Sequence, residues 1–382
     1  MSTEHKLSRI DAHAFRYPID QPVETSFGRM NDRPAVFVRV EDTEGCFGWG
    51  EIFANWPAAA AEHRVNLAER DIGPLVIGST VDDPARAFDD LTRRTHIRAL
   101  QSGEWGPFRQ VIAGIDTALW DLKARAAGLP LRRLLNPGAS DRVPAYASGI
   151  DIKKAKDRVA HSRDQGYTNF KVKVGFDSAR DAELLRELTG TLSDNERLFM
   201  DANQAFDLSG ALAFLKAVRG LPIDWFEEPI AADGPAQDWA QLANESPIPL
   251  AGGENLAGDP AFDAAISQGV LTYLQPDVAK WGGVTGCLRV ARAALAAGMT
   301  YCPHFLGGGI GLAASGELLA AAGGNGLLEV DVNANPLRSA FNLPGLDQAS
   351  GLWQLSEAPG LGIEDLPESL LAHESHSVSL VA

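Results

Sequence analysis

Cysteine is nearly missing from this chain of 382 residues: the three present, Cys46, Cys287 and Cys302, lie far apart and form no CxxC pair. That spacing suggests neither a disulfide framework nor a zinc ribbon, and it suits a reduced, cytoplasmic setting. No apolar run approaches the roughly 20 residues of a membrane span, and Met1 to Lys6 lacks the apolar core of a signal peptide. Positive charge is scarce too, with 34 Lys and Arg against 50 Asp and Glu, a formal net charge of −16. Nucleic acid and membrane surfaces are therefore not expected partners, because phosphate binding needs clustered Lys and Arg. A small anionic substrate responds to local charge and stays open.

What is present reads as a globular protein. The length suits two domains, and 45% apolar with 22% charged residues is ordinary for a globular chain. Arg9 to Tyr17, Pro34 to Glu41 and Cys46 to Glu51 read as strands, with Val36, Val38 and Val40 alternating against Phe37 and Arg39. The polar span from Ile19 to Asn31 is long for a connection and is expected to be a mobile binding loop, as is Phe53 to Pro57. Helical patterns follow in Ala58 to Asp71, Pro84 to Thr95 and Val111 to Ala127, the last with Ile112, Ile115, Ala118 and Leu122 on one stripe. Strands followed by helices without alternation make an α+β module.

From Val143 the pattern changes to short apolar runs separated by amphipathic helices. Strands are expected near Val143 to Ser148, Asn169 to Val174, Arg197 to Asp201, Asp224 to Glu227, Pro249 to Gly252, Thr272 to Gln275, Thr300 to Cys302 and Leu327 to Glu329. Eight strands with helical crossovers predict an α/β fold, a TIM-type barrel whose last strand lacks a convincing helix. The boundaries read as a capping domain over residues 1–130, completed by the segment 346–382, and a barrel over residues 131–345.

In such a barrel the carboxyl ends of the strands carry the chemistry. Lys171 and Lys173 share one face of a strand, so each disfavours the other's protonation, which makes Lys173 a candidate base with a lowered pKa. Asp201, Glu227 and Glu254 end three successive strands, and three carboxylates converging at one mouth call for a cation; oxygen donors of this kind suit Mg²⁺. Alternation turns only one of Glu227 and Glu228 inward, and Glu227 lies nearer its strand. Asp277 and His304 end neighbouring strands, where the acid can fix the imidazole tautomer. Glu329, at the last strand end, can donate or accept a proton at a substrate carboxylate.

The set Lys171-Val172-Lys173, Asp201, Glu227, Glu254, Asp277 and His304 resembles the enolase superfamily, and within it the mandelate racemase subgroup. The resemblance runs from Gly48-Trp49-Gly50-Glu51 through Gly114 to Asp121 and on to Pro359-Gly360-Leu361-Gly362. It implies an α+β cap over a (β/α)7β barrel and one Mg²⁺ per subunit, with Mn²⁺ as the alternative, on Asp201, Glu227 and Glu254. It further implies Lys173 and His304 as bases on opposite faces of the substrate, Glu329 as the acid at its carboxylate, and Asn203 as a substrate contact. The two cap loops would then set specificity, with Phe27, Arg29, Phe53, Asn55 and Trp56 offering apolar and cationic contacts. The expected substrate is a small carboxylate and the expected reaction a sugar-acid dehydration. Racemisation, epimerisation or lactone cycloisomerisation is the second expectation, and a non-catalytic, metal-dependent carboxylate-binding protein the third. Assembly into a homo-oligomer is expected.

Overall fold

The computed structural model describes residues 4–25 and 28–382. The chain opens with three antiparallel strands, β1 (His5–Thr25), β2 (Gly28–Asp42) and β3 (Phe47–Ile52), with the short β4 (Thr80–Val81) paired to the start of β1. Against this sheet pack α1 (Ala60–Leu67), α2 (Pro84–Ser102) and α3 (Trp105–Ala126), followed by the short α4 (Leu131–Leu135). The Asp83 side chain accepts from Ala85 N and Pro84 opens α2, while Gly103 closes it at φ 73°. In α3 the stripe Ile112, Ile115, Ala118 and Leu122 is buried. β3 lies directly on α3, where a Cβ on Gly50 would stand 2.0 Å from the Gly114 carbonyl oxygen. Glycine at that position is what lets a strand lie directly on helix backbone.

The second unit is a ring of parallel strands with helices outside. Its strands are β5 (Arg142–Asp151), β6 (Asn169–Lys173), β7 (Arg197–Asp201), β8 (Trp225–Glu227), β9 (Leu250–Gly252), β10 (Tyr273–Leu274), β11 (Thr300–Tyr301) and β12 (Leu328–Asp331). Between them run α5 (Ala155–Asp164), α6 (Ser178–Thr189), α7 (Leu208–Ala217), α8 (Ala236–Glu245), α9 (Asp259–Gln268), α10 (Gly283–Ala296) and α11 (Gly309–Ala322). Hydrogen bonding runs in sequence order from β5 to β11, and β12 pairs in parallel with β5. Across the remaining seam Leu327 N donates to Cys302 Sγ at 3.4 Å. The helix directly after β12 is the four-residue α12 (Pro336–Ser339). The barrel floor is a separate apolar cluster of Tyr146, Phe199, Trp225, Ala251, Cys302 and Leu327, with the Phe199 and Trp225 rings stacked at 3.7 Å.

Two expectations change. The stretch Ile19 to Asn31 is not an irregular loop: β1 and β2 continue as a hairpin through Val23↔Met30 and Thr25↔Gly28. Its ladder is satisfied by backbone pairing and needs no buried apolar face, so the alternation that marks other strands is missing. The tail also divides. β13 (Leu346–Asp347) and β14 (Leu352–Gln354) form a hairpin on β5 of the barrel, and only β15 (Glu374–Val381) joins the cap sheet, beside β1. Among the described residues no helix is long and apolar enough to cross a membrane.

Candidate active site

The strand ends of the barrel converge on a cavity of about 570 Å³ lined by Lys173, Asn203, Glu254, His304 and Glu329 from the barrel and by Asn55 and Trp56 from the cap. Beneath it lies the apolar floor. Lys171 is wholly buried, its Nζ 2.6 Å from Glu227 Oε1, 2.8 Å from Glu329 Oε1 and 5.4 Å above the Tyr146 ring. One turn of the strand pleat further on, Lys173 Nζ stands 2.5 Å from Asp201 Oδ2. Register explains the proximity: Lys173 pairs with Asp201, and Asp201 with Glu227, across β6, β7 and β8.

These contacts reverse the expected tuning of the lysines. Burial would lower the pKa of Lys173 and Lys171 lowers it further, but Asp201, Glu254 and Glu227 outweigh both and the net direction is up. Lys171 is likewise held well above its ordinary value, because Glu227 and Glu329 outweigh its burial. The sequence places the two lysines side by side but does not show the acids on neighbouring strands. Glu329 is shifted too: against burial, Lys171 and His304 hold its carboxyl down at about 2. It accepts from Ser148 Oγ at 2.5 Å and from Phe305 N at 3.0 Å.

On the opposite side His304 Nδ1 lies 2.7 Å from Asp277 Oδ2, while Asp277 Oδ1 accepts from Ala279 N and Lys280 N. The acid is thereby fixed, and with it the imidazole. His304 Nε2 stands 2.6 Å from Glu254 Oε2, a close ion pair that leaves this oxygen without a well-directed hydrogen bond. Burial opposes the imidazolium, but Glu254, Glu329 and Asp277 raise the His304 pKa well above its usual value.

Asp201, Glu227 and Glu254 are buried at three successive strand ends. Burial and then Asp201 push the Glu227 pKa up, as expected of acids crowded out of water. As placed, each acid is turned onto Lys173, Lys171 or His304, and among the described residues no group of three His, Cys, Asp or Glu side chains stands ready to hold a metal ion. The donor set is nevertheless that of a hard divalent cation: three buried carboxylates, one with an unsatisfied oxygen, balanced only by side-chain cations. Glu228 turns away from this set, with Oε2 accepting from Asn255 Nδ2 at 2.7 Å.

Other residues fall as follows. Asn203 donates its backbone N–H to Asp201 Oδ1 at 2.8 Å and adopts φ 42°, next to Gln204 at φ 65°. This backbone strain sits at the cavity wall, where the fold has to hold it in place. Asn55 Nδ2 donates to Leu306 O at 2.7 Å, tying the cap loop to the barrel mouth. The Phe53 ring lies 5.2 Å from Lys280 Nζ, a cation that also lines the cavity. Arg29 does not line the cavity: it is exposed, whereas Met30, next in the strand, is buried and lines it. Reading this stretch as a loop left open which of its side chains turn toward the cavity. Phe27 lies outside the described residues. Sequence reasoning also missed Gln275, whose Nε2 donates to Glu227 Oε2 at 2.8 Å; its place at the end of β10 was the available signal.

Comparison with known proteins gives a consistent picture. Residues 9–136 match the family profile described as "Mandelate racemase / muconate lactonizing enzyme, N-terminal domain", and residues 154–369 match "Enolase C-terminal domain-like". A mandelate racemase/muconate lactonizing enzyme structure from Bordetella bronchiseptica RB50 is 47% identical with a TM-score of 0.91, covering 97% of this chain and 100% of that one. A racemase from Streptomyces coelicolor, with bound magnesium, is 27% identical with a TM-score of 0.86, covering 96% and 99%. D-galactarolactone cycloisomerase of Agrobacterium fabrum is 29% identical over 94% of this chain and 96% of its own length. D-galactonate dehydratase of Verminephrobacter eiseniae is 31% identical over 73% of each.

Proposed function

Because the chain belongs to the enolase superfamily, in its mandelate racemase subgroup, we propose that it removes the proton α to a carboxylate, and that the reaction is the Mg²⁺-dependent dehydration of a sugar acid to a 2-keto-3-deoxy acid. The observation that carries this reading is a single cavity lined by both Lys173 and His304, with Asp277 fixing the imidazole. Asp201, Glu227 and Glu254 would hold the metal, which when bound supplies electrostatic stabilisation of the negative charge that develops on the substrate carboxylate.

The chain's own residues divide the remaining work. Lys173 takes the α-proton only as a neutral amine, so Asp201 must first be drawn away from it. Lys171, held by Glu227 and Glu329, stays a fixed ammonium beside the developing charge. On the other face His304 starts protonated, its Nδ1–H donating to Asp277, and its Nε2 proton goes to the β-hydroxyl as the carbon–oxygen bond breaks. Water leaves, and the enol that remains tautomerises to the 2-keto acid.

Similarity over 94% of the chain to a lactone cycloisomerase supports a second reading, in which the leaving group is a lactone oxygen and not a hydroxyl. A screen of aldonates, aldarates, uronates and their lactones for 2-keto acid formation with Mg²⁺ tests both. Keto acid from open-chain acids supports dehydration, and keto acid from lactones alone supports cycloisomerisation. No product from any of them refutes both.

A further inference from the structure

The catalytic cavity does not end at Lys173. It continues into an outer cleft of about 670 Å³, with Val23, Gly149, Lys173 and Asn333 lining both. One wall of the cleft comes from the β1 hairpin between Tyr17 and Val23. The other is the turn Ile152–Lys154 with the start of α5, which brings in Lys153, Lys154 and Arg158. Lys153 and Lys154 are exposed and Arg158 half-buried. Among the described residues Lys154 and Arg158 make no ion pair or side-chain hydrogen bond, and Lys153 Nζ lies 5.1 Å over the Phe176 ring. The acids facing the same cleft are Asp20 and Asp151, and Asp151 Oδ1 already accepts from Lys153 N at 2.9 Å. In a chain of net charge −16, this is a local excess of cations leading to the base.

We propose that the outer cleft is an anion subsite for a second carboxylate, so that the preferred substrate is a dicarboxylic acid sugar with one carboxylate beside Lys173 and His304 and the other against Lys154 and Arg158. The inference rests on the acid-sugar reading above and narrows it. A guanidinium binds a carboxylate through two parallel hydrogen bonds, and a primary hydroxyl in the same place offers no charge to match. A cationic cleft running against the overall charge also concentrates a dianion more than a monoanion.

The test uses two six-carbon probes that differ only at the far end, adipate and hexanoate, titrated calorimetrically into the Mg²⁺-loaded protein and into the K154A/R158A double variant. Because one exposed ion pair contributes at most about fivefold, adipate is expected to bind about tenfold tighter than hexanoate in the wild type. In the variant that advantage is expected to vanish with hexanoate binding unchanged. Equal affinity for the two probes in the wild type, undetectable adipate binding, or a variant that weakens both alike or neither would overturn the subsite. Failure of every acid sugar to turn over would instead count against the acid-sugar reading, and the adipate comparison would still report on the cleft.

Discussion

A lysine is a base only when no acid holds its proton, and in this cavity Asp201 holds Lys173 at 2.5 Å. The same holds for the other acids around it: Glu227 and Glu329 are answered by Lys171, and Glu254 and Asp277 by His304. A divalent cation entering between Asp201, Glu227 and Glu254 would compete with those side-chain cations, and its binding free energy would add to the stability of the folded state. Millimolar Mg²⁺ is therefore expected to raise the melting temperature of the wild type, and Glu254→Gln should lose most of that rise. The Asp277–His304 pair makes a different prediction. Asn at position 277 keeps the packing but removes the fixed carboxylate, so Asp277→Asn should lower kcat by about 100-fold while KM changes little, as expected for a group that orients an acid or base. Steady-state kinetics on the substrate found by the screen measures the split.

At the scale of elements, the site depends on strand ends being in register and on the cap lying close over them. The eight barrel strands were legible because each is a short apolar run bounded by turns, and their predicted ends differ from the observed ones by at most a few residues. The metal-ligand candidates follow from those ends. The β1–β2 hairpin was not legible, because polar strands paired mainly through backbone carry no alternation, and Met30 and Arg29 were therefore misplaced. Nor was the ion pairing of Lys171 with Glu329, two residues far apart in sequence that meet only when β12 closes on β5 and β6 lies on its other side. The Gly48-Trp49-Gly50-Glu51 motif was visible as a resemblance, and the structure supplies its reason in the contact of β3 with α3. Gly50→Ala puts a methyl group against the Gly114 carbonyl oxygen and is expected to cost about 3 kcal/mol or more of stability, read from the denaturation midpoint.

The whole molecule is joined at the seam between cap and barrel, and Glu51 is one of its fastenings. Its carboxylate reaches from β3 to accept from Gly308 N at 2.5 Å and Gly311 N at 2.8 Å at the start of α11. Burial raises its pKa to about 7, although those two amides pull the other way. Between its ordinary value of 4.5 and about 7, the unfolded chain gives up the Glu51 proton while the folded chain keeps it. Stability from this group is therefore full below that window and falls as pH rises through it, by up to about 3 kcal/mol. Glu51→Gln sacrifices one acceptor at every pH but removes the slope. The difference in melting temperature between wild type and Glu51→Gln should thus shift in favour of the variant from pH 5 to pH 7.

The central claim is that one cavity carries two opposed groups able to exchange the proton α to a carboxylate. Its most direct test is the incubation of acid sugars with the Mg²⁺-loaded protein in D₂O, following by NMR deuterium at the α-carbon of recovered acid and at C3 of any 2-keto acid, in the wild type, Lys173→Ala and His304→Asn. The account predicts product or recovered acid carrying deuterium from the wild type, loss of α-proton removal by about a thousandfold in Lys173→Ala, and impaired departure of the β-substituent in His304→Asn. Wild-type exchange that survives unchanged in Lys173→Ala would contradict it.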